Sequence, residues 1–329
     1  MNDLSTEAPL EPSWPVVDAH HHLGEFHGSR YLAEDLGRDT ARGHRIVATV
    51  YVESRYRLRT TGPAGLRPVG ETEFADDVAE KSVAEGTGTQ LCAAIVGFAD
   101  LGAGAAIGDV LDAHLDASPA RFRGIRQGSY WDADPGIMST VSMSPPRGLL
   151  GSAAFRRGYA ALAPRGLSFD AVLFHPQIGE LAALARTFPD TTVVLNHLGF
   201  PLGVGPYADR REEVFAEWSA AVADLARCPN VNLKIGGFGI PVWGLDLTPA
   251  DGEPRSKALA RAWRPFFDTA VERFGPHRCM LESNFPPDRV AYDYVTFWNA
   301  AKTLVSGLSP SERDAVLAGT ARRVYRLPV

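Results

Sequence analysis

Val16-Val17-Asp18-Ala19-His20-His21-His22 decides how the rest of the chain is read. It is a short apolar run that turns polar and imidazole-rich at its end. Alternate side chains of a strand share a face, so Asp18, His20 and His22 are expected on one side. Two imidazoles at i and i+2 are able to converge on one divalent ion. The plain alternative is a pair of hydrogen-bonded structural histidines.

Working outward, seven further runs of the same kind follow. They are 45–53 (RIVATVYVE), 91–98 (LCAAIVGF), 122–128 (FRGIRQG), 169–175 (FDAVLFH), 192–197 (TVVLNH), 231–236 (VNLKIG) and 278–284 (RCMLESN). Their shortness and their Val, Ile and Leu content suit buried parallel strands. The stretches between them read as helices: 178–187 after a His-Pro break, 212–227, 261–274 closed by Gly275-Pro276, and a final 311–324. Eight strands alternating with helices predict an α/β fold, a single-domain (β/α)8 TIM barrel over residues 16–329. A doubly wound open sheet fits less well, because no GxGxxG follows the first strand. Segments 56–71 and 132–151 read as inserted loops that shape a substrate pocket.

Residues 1–15 are polar, acidic and proline-containing, and are expected to form a flexible lead-in without the layout of a signal peptide. The 33 Lys+Arg against 39 Asp+Glu give a net charge of −6, which argues against a nucleic-acid partner. No apolar run approaches the ~18 residues that span a bilayer, so no membrane partner is expected. The three cysteines (Cys92, Cys228, Cys279) form no CxxC pair. That spacing excludes a zinc ribbon and a redox motif, and it suits the reducing cytoplasm. A small-molecule substrate is the expected partner, with a homo-oligomer left open.

In a barrel, chemistry sits where strands end. The fifth and sixth strands end in His175 and His197, and the second in Glu53. On the fourth, Ile125 faces the helices and Arg126 the axis. On the seventh, Leu233 and Ile235 take the outer face and leave Lys234 inward. Glu282 and Asn284 share a parity on the eighth. A buried cation requires an anion: either an internal ion pair, for example Lys234 with Glu282, or a substrate group. Tyr130 and Trp131, with Asp132, either wall the pocket or cap the loop.

Several long segments carry a resemblance: VVDAHHH, RPVGETEF, AAIVGFADL, RFRGIRQGSYWDADP, GLSFDAVLFHPQIGELAALARTFPDTTVVLNHLGFP, PNVNLKIGG, RCMLESNFPPD and GTARRVYRL. From Val16 to Leu327 the chain resembles the amidohydrolase superfamily, in its amidohydrolase-related branch that includes sugar lactonases and pyrone-dicarboxylate lactonases. The resemblance implies a TIM barrel with its site at the carboxyl ends of the strands. It maps His20 and His22 to the first-strand metal pair, and His175 and His197 to the two later histidines. Much of the superfamily ends its eighth strand in an Asp that binds metal and acts as base; here that position is Asn284. The fourth-strand bridging ligand of binuclear members is also missing, since only Arg126 and Gln127 stand there. Both departures remove negative charge.

The resemblance therefore implies either one divalent ion, zinc first, on His20, His22 and a later histidine such as His197, or a metal-free site. The expected reaction is hydrolysis of a lactone or other cyclic ester or amide on a small carboxylate-bearing molecule. His175 or His197 would act as base. Arg126 or Lys234 would hold the oxyanion, and Asn284 would orient water or substrate. Glu53, Gln127, Tyr130 and Trp131 are the expected substrate contacts. Two other readings are a non-oxidative decarboxylase and a small-molecule-binding barrel without turnover.

Overall fold

The computed structural model describes residues 7–26, 28–86, 88–141 and 143–328. Eight parallel strands follow one another in chain order: β1 (Val16–His21), β2 (Ile46–Val52), β3 (Gln90–Gly97), β4 (Phe122–Gly128), β5 (Ser168–Val172), β6 (Val193–Leu195), β7 (Val231–Ile235) and β8 (Cys279–Leu281). The ring closes just beyond β8, where His21 bridges Phe285 in parallel. There the Asn284 amide donates to His20 O at 3.0 Å and the His22 amide to Phe285 O at 2.7 Å. The fold is the TIM barrel that the sequence predicts.

The strands sort their side chains by parity. Val17, Ala19, Ala48, Val50, Ala94, Val96, Val194 and Met280 form the core inside the barrel. Phe169, Leu195, Leu233 and Ile235 join the larger core beneath the helices. Small interior residues match the narrow lumen of an eight-stranded barrel, which its own side chains must fill. The floor is closed by the C-terminal helix Thr320–Tyr325, whose Ala321, Val324 and Tyr325 pack into that inner core.

The predicted helix 178–187 is found as Ile178–Thr187. Helix 211–225 (Arg211–Leu225) carries the buried Trp218. Of the expected lead-in, residues 1–6 lie outside the described residues. The rest of it is tied down. The Leu10 amide donates to Asn299 Oδ1 at 2.7 Å, and Lys302 Nζ donates to Glu11 O at 2.8 Å. Among the described residues no helix is long and apolar enough to cross a membrane.

Candidate active site

The first strand delivers two imidazoles by breaking its own alternation. Its pairing with β2 shifts register between Asp18 and His21. Asp18, between the inward Val17 and Ala19, points away from the barrel axis, accepting from Ser283 Oγ at 2.6 Å and Tyr294 Oη at 2.9 Å, and the shift that follows turns His20 inward. The expectation that Asp18 shares a face with His20 and His22 is corrected here: strict period-2 counting fails across the irregularity. Burial pushes the Asp18 carboxyl up to about 6. His21 turns outward onto Thr49 Oγ1 at 2.8 Å. His20 and His22 turn inward, with their Nε2 atoms 3.1 Å apart.

The third imidazole comes from the β6 turn. His197 and Leu198 both adopt left-handed backbone, at φ 53° and 57°, followed by Phe200 at φ 40°. Three such non-glycine residues within four positions are costly and persist only where packing over-determines them. Trp218, fully buried, donates its indole N–H to Leu198 O at 2.7 Å and pins the turn. Gly237, at φ +69°, makes room for it: a Cβ there would lie 2.6 Å from His197 Nδ1. The ring of His197 sits 4.7 Å from that of His20 and 4.8 Å from Phe200.

Glu282 joins these histidines from β8. It is completely buried. Its Oε1 accepts from His197 Nδ1 at 2.7 Å and from the His197 amide at 3.1 Å. Its Oε2 stands 2.8 Å from His20 Nδ1, at contact distance though off the line of a good hydrogen bond. The expected Lys234–Glu282 pair is corrected, because Glu282 serves the histidines and Lys234 finds Asp170. Lys234 Nζ donates to Asp170 Oδ2 at 2.8 Å, and both side chains are fully buried.

These contacts fix the tautomers. A carboxylate only accepts, so Nδ1 of His197 carries the proton. His22 Nδ1 lies 2.8 Å from the Val52 carbonyl, so it also carries its proton. In their neutral form His197 and His22 therefore keep their lone pair on Nε2. Burial foremost holds His20 and His22 well below the usual imidazole value. The Lys234 charge adds most after burial at His20, and the Arg126 charge at His22.

Donor atoms of His20, His197 and Glu282 lie within 4.8 Å of one another. Nitrogen ligands with their second ring nitrogen held by carboxylate or carbonyl form the donor set of a divalent ion such as zinc. The residues present fit such an ion.

The other expected site residues are placed as follows. Arg126 faces the axis: its Nη1 is 3.4 Å from His20 Nε2, its Nε donates to Glu53 Oε1 at 2.9 Å, and its Nη2 donates to Glu53 O at 2.5 Å. Gln127 takes the opposite parity and braces the turn after β3, donating to Asp100 Oδ1 at 3.1 Å and accepting from Leu101 N at 2.9 Å. The Asn284 side chain donates to Asp288 Oδ1 at 2.7 Å. His175 is absent from the imidazole group. Its Nδ1 accepts from Leu202 N at 3.3 Å, and its Nε2 lies 3.7 Å from Glu217. The Tyr130 ring packs 5.6 Å from Phe174. Trp131 is bracketed through its backbone by Gln177, with Arg147 over its ring at 4.8 Å. Asp170 escaped the sequence reading, although the parity that turned Lys234 inward applies equally to it between Phe169 and Ala171.

A family model described as Amidohydrolase matches residues 17–327. This chain is a member of the amidohydrolase family. The uncharacterized protein y4mH of Sinorhizobium fredii (strain NBRC 101917 / NGR234) is 33% identical over 297 residues, covering 90% of this chain and 86% of that protein. An L-fucono-1,5-lactonase of Burkholderia ambifaria is 28% identical over 273 residues, covering 82% of this chain and 80% of the lactonase. Among solved structures, an amidohydrolase from Burkholderia multivorans with bound zinc superposes with a TM-score of 0.71 at 23% identity, over 95% of this chain and 99% of that one. As an amidohydrolase-family member with lactonase relatives, the chain is a hydrolase.

Proposed function

We propose that this hydrolase opens a lactone or related cyclic ester of a small molecule, with His197 as the base and Glu282 as its partner. The observation that carries the reading is the Glu282 carboxylate 2.7 Å from His197 Nδ1. It fixes the Nε2 lone pair toward the site and stabilises the imidazolium formed when His197 takes a proton, as the carboxylate of a catalytic triad does. The lactonase relative supports the substrate class.

The chemistry follows from these positions. Water attacks the ring carbonyl carbon and passes a proton to His197 Nε2. Arg126, with Nη1 aimed beside His20, donates to the oxyanion that develops, a contribution of roughly 3–4 kcal/mol for one such donor. The carbon–oxygen ring bond then breaks. His197 returns its proton to the departing ring oxygen, and the product is a hydroxy acid. His20 and His22 would hold the divalent ion, leaving the His197 Nε2 lone pair free to take the proton. Such an ion, when bound, acts as a Lewis acid on a carbonyl oxygen. Lys234 has no place in this sequence, because Asp170 consumes its charge below the site. The three cysteines, all buried and unpaired, support a cytoplasmic setting.

A panel of sugar and dicarboxylate lactones tests the reading, run with purified protein before and after chelation and alongside elemental analysis. Ring opening of at least one lactone is expected. Release of CO2 from aromatic acids, without any lactone opening, would establish the decarboxylase reading in its place.

A further inference from the structure

We infer that Arg55, at the rim of the barrel mouth, recognises a carboxylate on the substrate; the inference deepens the lactone-hydrolase reading and rests on it. The two inward cations that the sequence offers for an acidic substrate are already engaged. Lys234 is paired with Asp170, and Arg126 commits Nε and Nη2 to Glu53. Arg55 is different. Its Nε lies 3.3 Å from Glu53 Oε2, so two guanidiniums share that one carboxylate. Its Nη2 donates at 3.4 Å to Met143 Sδ, a thioether and a weak acceptor. Among the described residues no oxygen accepts from either Nη group. The side chain is 37% exposed.

The guanidinium is also held in place. Its Cζ lies 3.3 Å above the Phe98 ring, a cation–π seat at the end of β3. The backbone of Arg55 is left-handed at φ 64° and that of Arg57 at φ 55°. A single buried carboxylate imposes this turn: Glu71 Oε1 accepts from Ser54 N at 2.6 Å, Tyr56 N at 3.2 Å and Tyr51 Oη at 2.7 Å. A strained turn tied down this way spends stability to aim one side chain. A guanidinium fixed in advance binds a carboxylate through two parallel N–H bonds and loses little freedom in doing so. Its place is also right, for Glu53 links Arg55 to Arg126, which touches His20. Met143 belongs to the inserted segment 132–151, so a carboxylate entering here replaces the thioether beneath that loop.

The test is calorimetric binding of γ-butyrolactone-γ-carboxylate and of its carboxamide, a pair of equal shape that differs in charge. The protein is used as wild type, Arg55→Met and Arg55→Lys, with thermal unfolding to confirm that each variant is folded. Wild type is expected to bind the acid about tenfold or more tightly than the amide. Arg55→Met is expected to abolish that preference, and Arg55→Lys to retain part of it. Equal or undetectable binding of the two probes by wild type overturns the inference, as does a preference undiminished in Arg55→Met. Turnover on the lactone panel is scored separately, so loss of the carboxylate site and loss of the hydrolase reading give different results.

Discussion

Two polar clusters share the barrel axis, one layer apart, and they differ in how completely they are satisfied. In the lower one, Asp170 Oδ2 accepts from Lys234 Nζ at 2.8 Å, Tyr325 Oη at 2.8 Å and Asn196 Nδ2 at 3.1 Å. Every member is sealed from water. In the upper one, Glu282 accepts from His197 Nδ1 and lies 2.8 Å from His20 Nδ1, the Val52 carbonyl holds His22 Nδ1, and the Nε2 atoms of His20 and His22 stand 3.1 Å apart. In the lower cluster the ion pair is closed, and of the Asn196 amide only the oxygen lacks a hydrogen-bond partner among the described residues. The upper one is built to receive a proton, an ion or a polarised carbonyl. A buried charge network reads as structure when its valences are closed, and as chemistry when one set is held open. Lys234 Nζ, 3.5 Å from His20 Nδ1, couples the two.

The largest expected effect falls on the lower cluster. Asp170→Ala leaves Lys234 buried without an anion, and should cost about 3–5 kcal/mol in denaturant unfolding. The double replacement Asp170→Leu with Lys234→Met should recover most of that loss. A deficit that persists in the double variant would assign Asp170 a role beyond the pair.

For Glu282 in the upper cluster the cost should appear in rate and not in stability. Glu282→Gln sets an amide N–H against one Nδ1–H, so one imidazole must turn or move its proton. We expect kcat to fall at least about 100-fold and retained zinc to bind some 10–100-fold more weakly, with the unfolding midpoint little changed. Gly237→Ala drives a Cβ to 2.6 Å from His197 Nδ1 at a backbone φ of +69°. It should cost about 1–3 kcal/mol in unfolding and lower activity as well.

A pH slope is expected away from both clusters. Burial foremost, with the Glu53 charge next, pushes the Glu71 carboxyl up to about 7. The folded state therefore holds this proton more tightly than the unfolded chain. The stability it contributes is whole below the ordinary carboxylate range and is lost as pH rises toward about 7. Measured from pH 4 to 8, the stability of Glu71→Gln relative to wild type should rise with pH and level off above about 7.

Much of the upper cluster was legible in the sequence. The period-2 pattern ending in His20 and His22, and an imidazole at the end of the sixth strand, put three imidazoles at one mouth. The same parity turned Lys234 and Arg126 inward. Its failures have physical causes. One register shift after Asp18 put Asp18 and His20 on opposite faces. Lys234 was matched with the wrong carboxylate because Asp170 lies inside an apolar run and 64 residues away. The β5 strand stops at Val172, so His175 begins a turn and not a strand end facing the axis. Glu71 sits inside helix Val69–Glu85, and no local pattern announces that its carboxylate reaches the turn at Arg55.

Replacing His197 bears most directly on the central claim that its imidazole, oriented by Glu282, moves the proton in ring opening. Initial rates of lactone hydrolysis should be compared between wild type and His197→Ala, on whichever lactone of the panel turns over fastest. The account predicts a loss of about 10²–10⁴-fold in kcat with the protein still folded. Hydrolysis by His197→Ala at the wild-type rate would contradict it.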